Sequence, residues 1–321
     1  MSTIITFREI QQAYQRIHPF INRTPVVTNA SLNTLLETTI YFKCENRQKC
    51  GVFKFRGATN AVQSLTPEQA KNGVATHSSG NHAAALAMAA MQRNIPAYIV
   101  MPRDAPKTKV ENVERHGGKI TFCEPTLQAR EEELKKVVEK TDATFIHPYD
   151  CAEVICGQGT ATMEMIEDYG SFDIIMTPVG GGGLLSGTAL AAKSMLRNVQ
   201  VIAGEPANAD DAFRSLNAGH IIPSQNPDTI ADGLKTSLGK LNFQIINQFV
   251  DKIITVSEEA IRKAMVLLQQ HTGMLAEPSS AVPLAAIMEN KEIFKNKKIG
   301  LILSGGNITK ETFDSLTKAG D

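Results

Sequence analysis

Short β-branched runs alternate with longer stretches of helical periodicity along most of the chain, and Gly, Pro, Asn or Asp separate them. The strand candidates are TIYFKCE (39–45), AYIVM (97–101), KITFC (119–123), DIIMTPV (173–179), VQVIAGEP (199–206), KIITV (252–256) and KIGLILS (298–304), with a shorter VAT before residue 77. Helices are expected over 81–93, 127–140, 184–196, 257–270 and 279–290. For the fourth, Ser257 is placed to cap the first turn, and Glu258 and Glu259 suit the positive end of the helix dipole. Strands that each lead into a helix predict parallel sheets covered by helices, an α/β fold. No repeat, low-complexity tract or long linker interrupts the pattern, so a second domain would have to be inserted in the first. Residues 72–147 hold three or four consecutive β-α steps and are expected to form that small domain, with 1–71 and 148–321 forming the large one.

Composition narrows the function classes. With 321 residues and 42 % hydrophobic positions the chain can bury a sizeable core. Its 33 Lys plus Arg balance 33 Asp plus Glu, so no net field draws it to nucleic acid or to an anionic membrane. No apolar run approaches the roughly 18 residues of a membrane span. The opening MSTIITFREI lacks the basic, apolar and small-residue order of a secretory leader, so a cytoplasmic address is expected. Cys44, Cys50, Cys123, Cys151 and Cys156 are odd in number and contain no CxxC, which argues for reduced structural thiols.

Four loops carry candidate chemistry. In TPVGGGGLLSG a strand delivers Gly180, Gly181, Gly182 and Gly183 into an apolar helix. Backbone N–H groups can close on an anion there without Cβ obstruction, and the helix N-terminus adds positive potential. A tight turn would need one or two glycines, so four favour a phosphate. Neither GxGxxG nor GxxxxGK[ST] is satisfied, which separates this loop from the dinucleotide and P-loop patterns. THSSGNHAAA leads from VAT through Ser78, Ser79, Gly80, Asn81 and His82 into an Ala-rich helix. It reads as a second anion site, although for either serine alone helix capping explains the residue as well. In KCGVFKFRGA, Lys54 stands between Phe53 and Phe55. A desolvated amine suits Schiff-base chemistry, but a single lysine so placed more often reaches out to solvent. LILSGGN ends the last strand with Ser304, Gly305, Gly306 and Asn307. Since ligands of open parallel sheets lie at the carboxyl ends of strands, the glycine loop, SSGNH and SGGN are expected on one rim.

Together, FKFRGA, SSGNHAAA, VGGGGLLSG and LSGGN resemble, in order and spacing, the fold-type II pyridoxal-phosphate enzymes of the serine/threonine dehydratase group. The resemblance covers essentially the whole chain. It is nearest to the serine racemase branch through THSSGNH, EPANADD, TIADGLKTS and the Glu-Pro of LAEPSSA. It implies two open parallel sheets flanked by helices, a tryptophan synthase β-like fold with an inserted, mobile small domain, and a homodimer. Lys54 would hold pyridoxal 5'-phosphate and act as base on one face of the substrate Cα. The four glycines would bind the phosphate, Asn81 the ring hydroxyl, Phe53 the ring face and Ser304 the ring nitrogen. Ser79, where threonine dehydratases usually carry alanine, would be the acid/base on the opposite face. The implied activity is interconversion of L- and D-serine with accompanying dehydration to pyruvate and ammonia. A serine/threonine or 3-hydroxyaspartate dehydratase with little racemase activity is the alternative.

The same resemblance implies substrate contacts from Ser78, Ser79, Asn81, His82 and Arg130. It also implies a divalent cation, Mg²⁺, Mn²⁺ or Ca²⁺, on Glu205, Asp211 and the carbonyl of Ala209. These are hard oxygen donors, although a solvated acidic turn would look the same. His77, His82, His116 and His147 lack zinc spacing. Lys49 and Asn307 match positions that contact ATP in eukaryotic members, whereas Ala84 and Gly273 replace side chains expected there, so nucleotide activation is left open.

Overall fold

The computed structural model describes residues 5–78 and 80–318 and arranges their ten strands in two sheets. In chain order the strands are β1 (Val26–Val27), β2 (Thr39–Cys44), β3 (Val74–His77), β4 (Ala97–Pro102), β5 (Gly118–Cys123), β6 (Thr144–Phe145), β7 (Ile174–Pro178), β8 (Gln200–Pro206), β9 (Lys252–Val256) and β10 (Lys298–Leu303). The larger sheet runs β1-β2-β10-β7-β8-β9 and is parallel except for the β1 edge. The smaller runs β5-β4-β3-β6, all parallel. All seven long strand candidates are present within one residue at either end, because apolar, β-branched runs closed by turn residues leave little choice of boundary. The five expected helices are also present, and Ser257 caps its helix by accepting from Ala260 N–H.

The longest helix, Ala152–Tyr169, was not foreseen. It is buried continuously from Val154 to Ile166, so it presents no amphipathic stripe, and its Gly, Thr and Glu residues read as breaks in the pattern. Those small residues let helices touch. A Cβ on Gly157 would lie 2.6 Å from Gly57 Cα, and one on Gly187 would lie 2.6 Å from Gly159 N. Glu164 of this helix joins a fully buried charge network. Its carboxylate accepts from Lys43 Nζ (2.6 Å) and Arg56 Nη2 (2.7 Å), while Arg56 Nε donates to Glu45 (2.7 Å). Two cations balance two anions, and Thr24 and Thr160 take part, so no charge is left unpaired in a medium where that would cost several kcal/mol. The network locks β2 and the helix Lys54–Ser64 to the long helix, immediately behind Lys54.

The apolar layer under the smaller sheet is shared with the rest of the molecule: Val74, Leu86, Ile99 and Met101 pack with Ile17, Phe55, Ala58, Val62 and Val154. No helix among the described residues is long and apolar enough to cross a membrane.

Candidate active site

The glycine loop is held in its shape by groups far away in sequence. Beyond β7, Gly180–Gly182 turn into the helix Gly183–Met195, with Gly182 at φ +95°, a conformation that favours glycine. The Gly181 carbonyl accepts from Gly239 N–H (3.1 Å) and Asn242 Nδ2 (3.0 Å). Among the described residues, nothing accepts from the N–H groups of Gly180, Gly181 or Gly182. Unmet donors at a helix N-terminus form a cradle fitted to a phosphate. Tyr149 covers it: a Cβ added to Gly181 would lie 2.5 Å from the tyrosine ring. Gly181→Ala is therefore expected to push Tyr149 aside and weaken pyridoxal-phosphate uptake by about tenfold, on an overpacking cost of about 1–3 kcal/mol. Titration of the apoprotein with the cofactor, followed by its absorbance, measures this.

Lys54 opens the helix Lys54–Ser64, and the chain just before it is clamped to the end of β10. Phe53 N–H donates to Ser304 O (2.9 Å), and Val52 pairs with Gly305. The Lys54 amine donates to Pro148 O (3.1 Å) and lies 5.2 Å from the Phe53 ring centroid and 5.9 Å from that of Tyr149. Burial lowers its pKa to about 8, partly countered by the negative charge of Glu277. An amine that loses its proton this close to neutrality can serve as both nucleophile and base. Phe53 packs beside Leu184, the residue after the glycine loop, with Ala161 and Ile302.

Opposite these groups, Asn81 donates from Nδ2 to both oxygens of Glu277 (3.1 and 3.0 Å) and accepts from Asn307 Nδ2 (2.8 Å). Burial raises the Glu277 carboxyl to about 7, opposed by the Asn81 hydrogen bond. Ser304 is buried with its Oγ 2.9 Å from Ser280 Oγ, and Ser280 also meets the backbone of Gly305. Its hydrogen-bonding neighbour is thus a hydroxyl.

The expectation of one shared rim needs correction. The glycine loop and SGGN follow β7 and β10, adjacent parallel strands of the larger sheet, but SSGNH follows β3 of the smaller sheet. The site is built from both sheets, joined by the Asn81 contacts with Glu277 and Asn307.

Ser78 accepts from Gly80 N–H at 3.3 Å, a local turn; Ser79 lies outside the described residues. His82 is buried, with no hydrogen-bond partner for either ring nitrogen among the described residues. Burial, then the Lys54 charge, hold it neutral, well below the usual imidazole range. Arg130, half-buried on the helix Leu127–Thr141, donates to Thr126 O (3.3 Å), and its charge helps lower the His77 pKa. Glu205 and Asp211 are both buried. Glu205 accepts from Ala212 and Phe213 N–H (2.9 and 2.8 Å), whereas among the described residues neither Asp211 carboxylate oxygen has a partner at full hydrogen-bond geometry, the Leu238 N–H and the Ser224 hydroxyl only helping to lower its pKa. Burial raises them to about 8 and about 6, and the nearby Arg214 is paired with Asp210 instead. No group of three His, Cys, Asp or Glu side chains able to hold a metal converges among the described residues, so a cation at Glu205 and Asp211 would also need backbone oxygens.

Sequence reasoning missed the supports. His147 Nδ1 accepts from Tyr149 and Asp150 N–H (3.3 and 2.9 Å), and burial lowers its pKa to about 4, so it stays neutral. Asp150 accepts from the N–H groups of Lys240, Leu241 and Asn242, capping the helix whose Asn242 side chain holds Gly181. The turn at 147–150 thus receives the Lys54 amine, covers the cradle and anchors its far side. Glu277 is the one acid of LAEPSSA, and that isolation is the only signal the sequence carries for its place in the site.

A buried lysine amine and a glycine loop that both meet the turn at 147–150 have known relatives. The family model described as pyridoxal-phosphate dependent enzyme matches residues 17–305. A serine racemase of Arabidopsis thaliana is 49 % identical over 93 % of this chain and 92 % of its own. A β-hydroxyaspartate dehydratase of Paracoccus denitrificans is 48 % identical over 95 % and 97 %. The crystal structure of serine racemase from Dictyostelium discoideum superposes with a TM-score of 0.91 at 47 % identity, covering 95 % of this chain and 99 % of that one. The chain belongs to the pyridoxal-phosphate dependent enzymes, in the fold-type II group that includes these racemases and dehydratases.

Proposed function

We propose that the protein interconverts L- and D-serine and, at the same site, dehydrates serine to pyruvate and ammonia. The observation that carries this reading is the buried Lys54 amine, its pKa lowered to about 8, beside a glycine loop whose N–H donors meet no acceptor among the described residues. Pyridoxal 5'-phosphate, when bound, withdraws electrons from the substrate Cα and so acidifies its proton. Gly180–Gly183 hold the phosphate, Asn81 the ring hydroxyl, Phe53 the ring face, and Ser304 offers the ring nitrogen a hydroxyl that does not keep it protonated. Lys54 moves the α-proton on one face and Ser79 on the other. With that proton removed, the β-hydroxyl leaves or the proton returns.

Ser78, Ser79, Asn81 and His82 at a helix N-terminus receive the α-carboxylate, and Arg130 reaches in as residues 72–147 close over the cleft. The similarity to the Paracoccus dehydratase supports the second reading, a 3-hydroxyaspartate or serine/threonine dehydratase. The test supplies L-serine, L-threonine and 3-hydroxyaspartate separately and follows D-serine and keto acids. D-Serine formation from L-serine is expected; keto acids alone would favour the second reading.

The working form is a cytoplasmic homodimer in this reading, and a titration of initial rate with Mg-ATP decides whether a nucleotide activates it. The buried Asp211 carboxylate, without a well-formed hydrogen bond among the described residues, fits a divalent cation, held with Glu205 and the Ala209 carbonyl. Adding Mg²⁺ is expected to raise the melting temperature by about 5 °C, on about 2–3 kcal/mol of linkage at saturating ion. Asp211→Asn should abolish that increment, measured by calorimetry.

A further inference from the structure

Three sulfur and nitrogen donors from separate segments meet beside the candidate site. Cys50 lies in the turn Lys49–Gly51, Met88 on the helix Asn81–Gln92, and His116 caps the helix Lys107–Arg115. Cys50 Sγ is 3.1 Å from Met88 Sδ and 3.9 Å from His116 Nε2. All three are half-buried, so an ion can reach them and water is partly excluded. A thiol, a thioether and an imidazole form a soft set, and the thioether is a poor ligand for Mg²⁺ or Ca²⁺ but a good one for Cu(I). An ion about 2.3 Å from each sulfur requires the two to part by under about 1.5 Å, within reach of the unbranched Met88 chain.

We propose that Cys50, Met88 and His116 bind one Cu(I) ion, the Cys50 thiol releasing its proton to solvent as the copper–sulfur bond forms. The ion would not act in isolation. The Cys50 carbonyl accepts from Asn307 Nδ2 (3.0 Å), and the same amide donates to Asn81 Oδ1 (2.8 Å). A shift of Cys50 towards the metal therefore pulls on the residue assigned to the cofactor hydroxyl and slows turnover. This inhibitory half rests on the function proposed above; the binding half does not.

The test titrates the holoenzyme with Cu(I), kept reduced by ascorbate, against the chelator bathocuproine disulfonate. The parent is expected to hold one equivalent that Cys50→Ser lacks, with Met88→Leu and His116→Asn weakened by about tenfold or more. A variant with Cys123 and Cys151 changed to Ser should keep the ion. Equal copper in parent and Cys50→Ser, or none in the parent, overturns the site. Turnover of L-serine by the parent should fall by about fivefold or more on loading while Cys50→Ser is unaffected. Copper bound with turnover unchanged overturns the coupling. Activity absent before copper is added instead counts against the proposed function and leaves the titration to decide the site.

Discussion

Lys54→Ala is expected to lower both D-serine and pyruvate formation by about 10³-fold or more, the upper part of the range for removing a positioned proton-transfer group. The fold should survive, because the Lys54 side chain makes one hydrogen bond, to Pro148 O, and its neighbours Phe55 and Arg56 carry the packing and the buried charge network. Circular dichroism and calorimetry check that point. The pH dependence follows from the lowered pKa. Above about 8 the amine is neutral and can attack the cofactor aldehyde; below it the protonated fraction grows, and capture should slow by about tenfold per pH unit. An ordinary lysine would already be slowing below its usual value near 10.4. Stopped-flow mixing of apoprotein with pyridoxal phosphate between pH 6 and 10 separates the two cases, and borohydride reduction with peptide mapping should place the adduct on Lys54 alone. Parent-like turnover in Lys54→Ala would sink both the base and the cofactor anchor.

The strands were legible because each is a short apolar run closed by turn residues, and the glycine loop because four consecutive glycines have few structural uses. What escaped was decided by tertiary contact. Helix Ala152–Tyr169 is surrounded on all sides, so its apolar, small and charged residues show no period. Tyr149 and Asp150 act on partners that cannot be found by local spacing: Asp150 caps a helix that begins 90 residues later. Likewise Glu277 meets Asn81 through two hydrogen bonds across 196 residues of chain, a tertiary contact with no local signal.

Those supports also explain how a cleft between two sheets can hold its reacting groups in register. The turn at 147–150 follows β6, the edge strand of the smaller sheet, yet its Tyr149 covers the glycine loop of the larger one and its Asp150 caps the helix whose Asn242 holds that loop. Closure of residues 72–147 would then pivot beside the Lys54 amine, which hydrogen-bonds to the same turn. In that proposed closure a hinge there would move Ser78, Asn81 and Arg130 while leaving Lys54 and the glycine loop together.

Ser79→Ala should separate the two activities. Inversion needs a proton donor on the face opposite Lys54, so D-serine formation from L-serine is expected to fall by about 10²-fold or more. Elimination needs only one proton removed and hydroxide lost, so pyruvate should persist from the enantiomer whose α-proton faces Lys54 and fall for the other. Isotope exchange makes the assignment sharper. In deuterated buffer, the variant should wash deuterium into the Cα of the Lys54-facing enantiomer without inverting it, since Lys54 can still remove and return that proton. Recovered serine is analysed by chiral chromatography with mass detection. Racemisation at the parent rate would exclude Ser79 as the opposite-face group. Loss of exchange together with racemisation would show that the substitution damages the cleft as a whole, because Lys54 acts on its own face without help from residue 79.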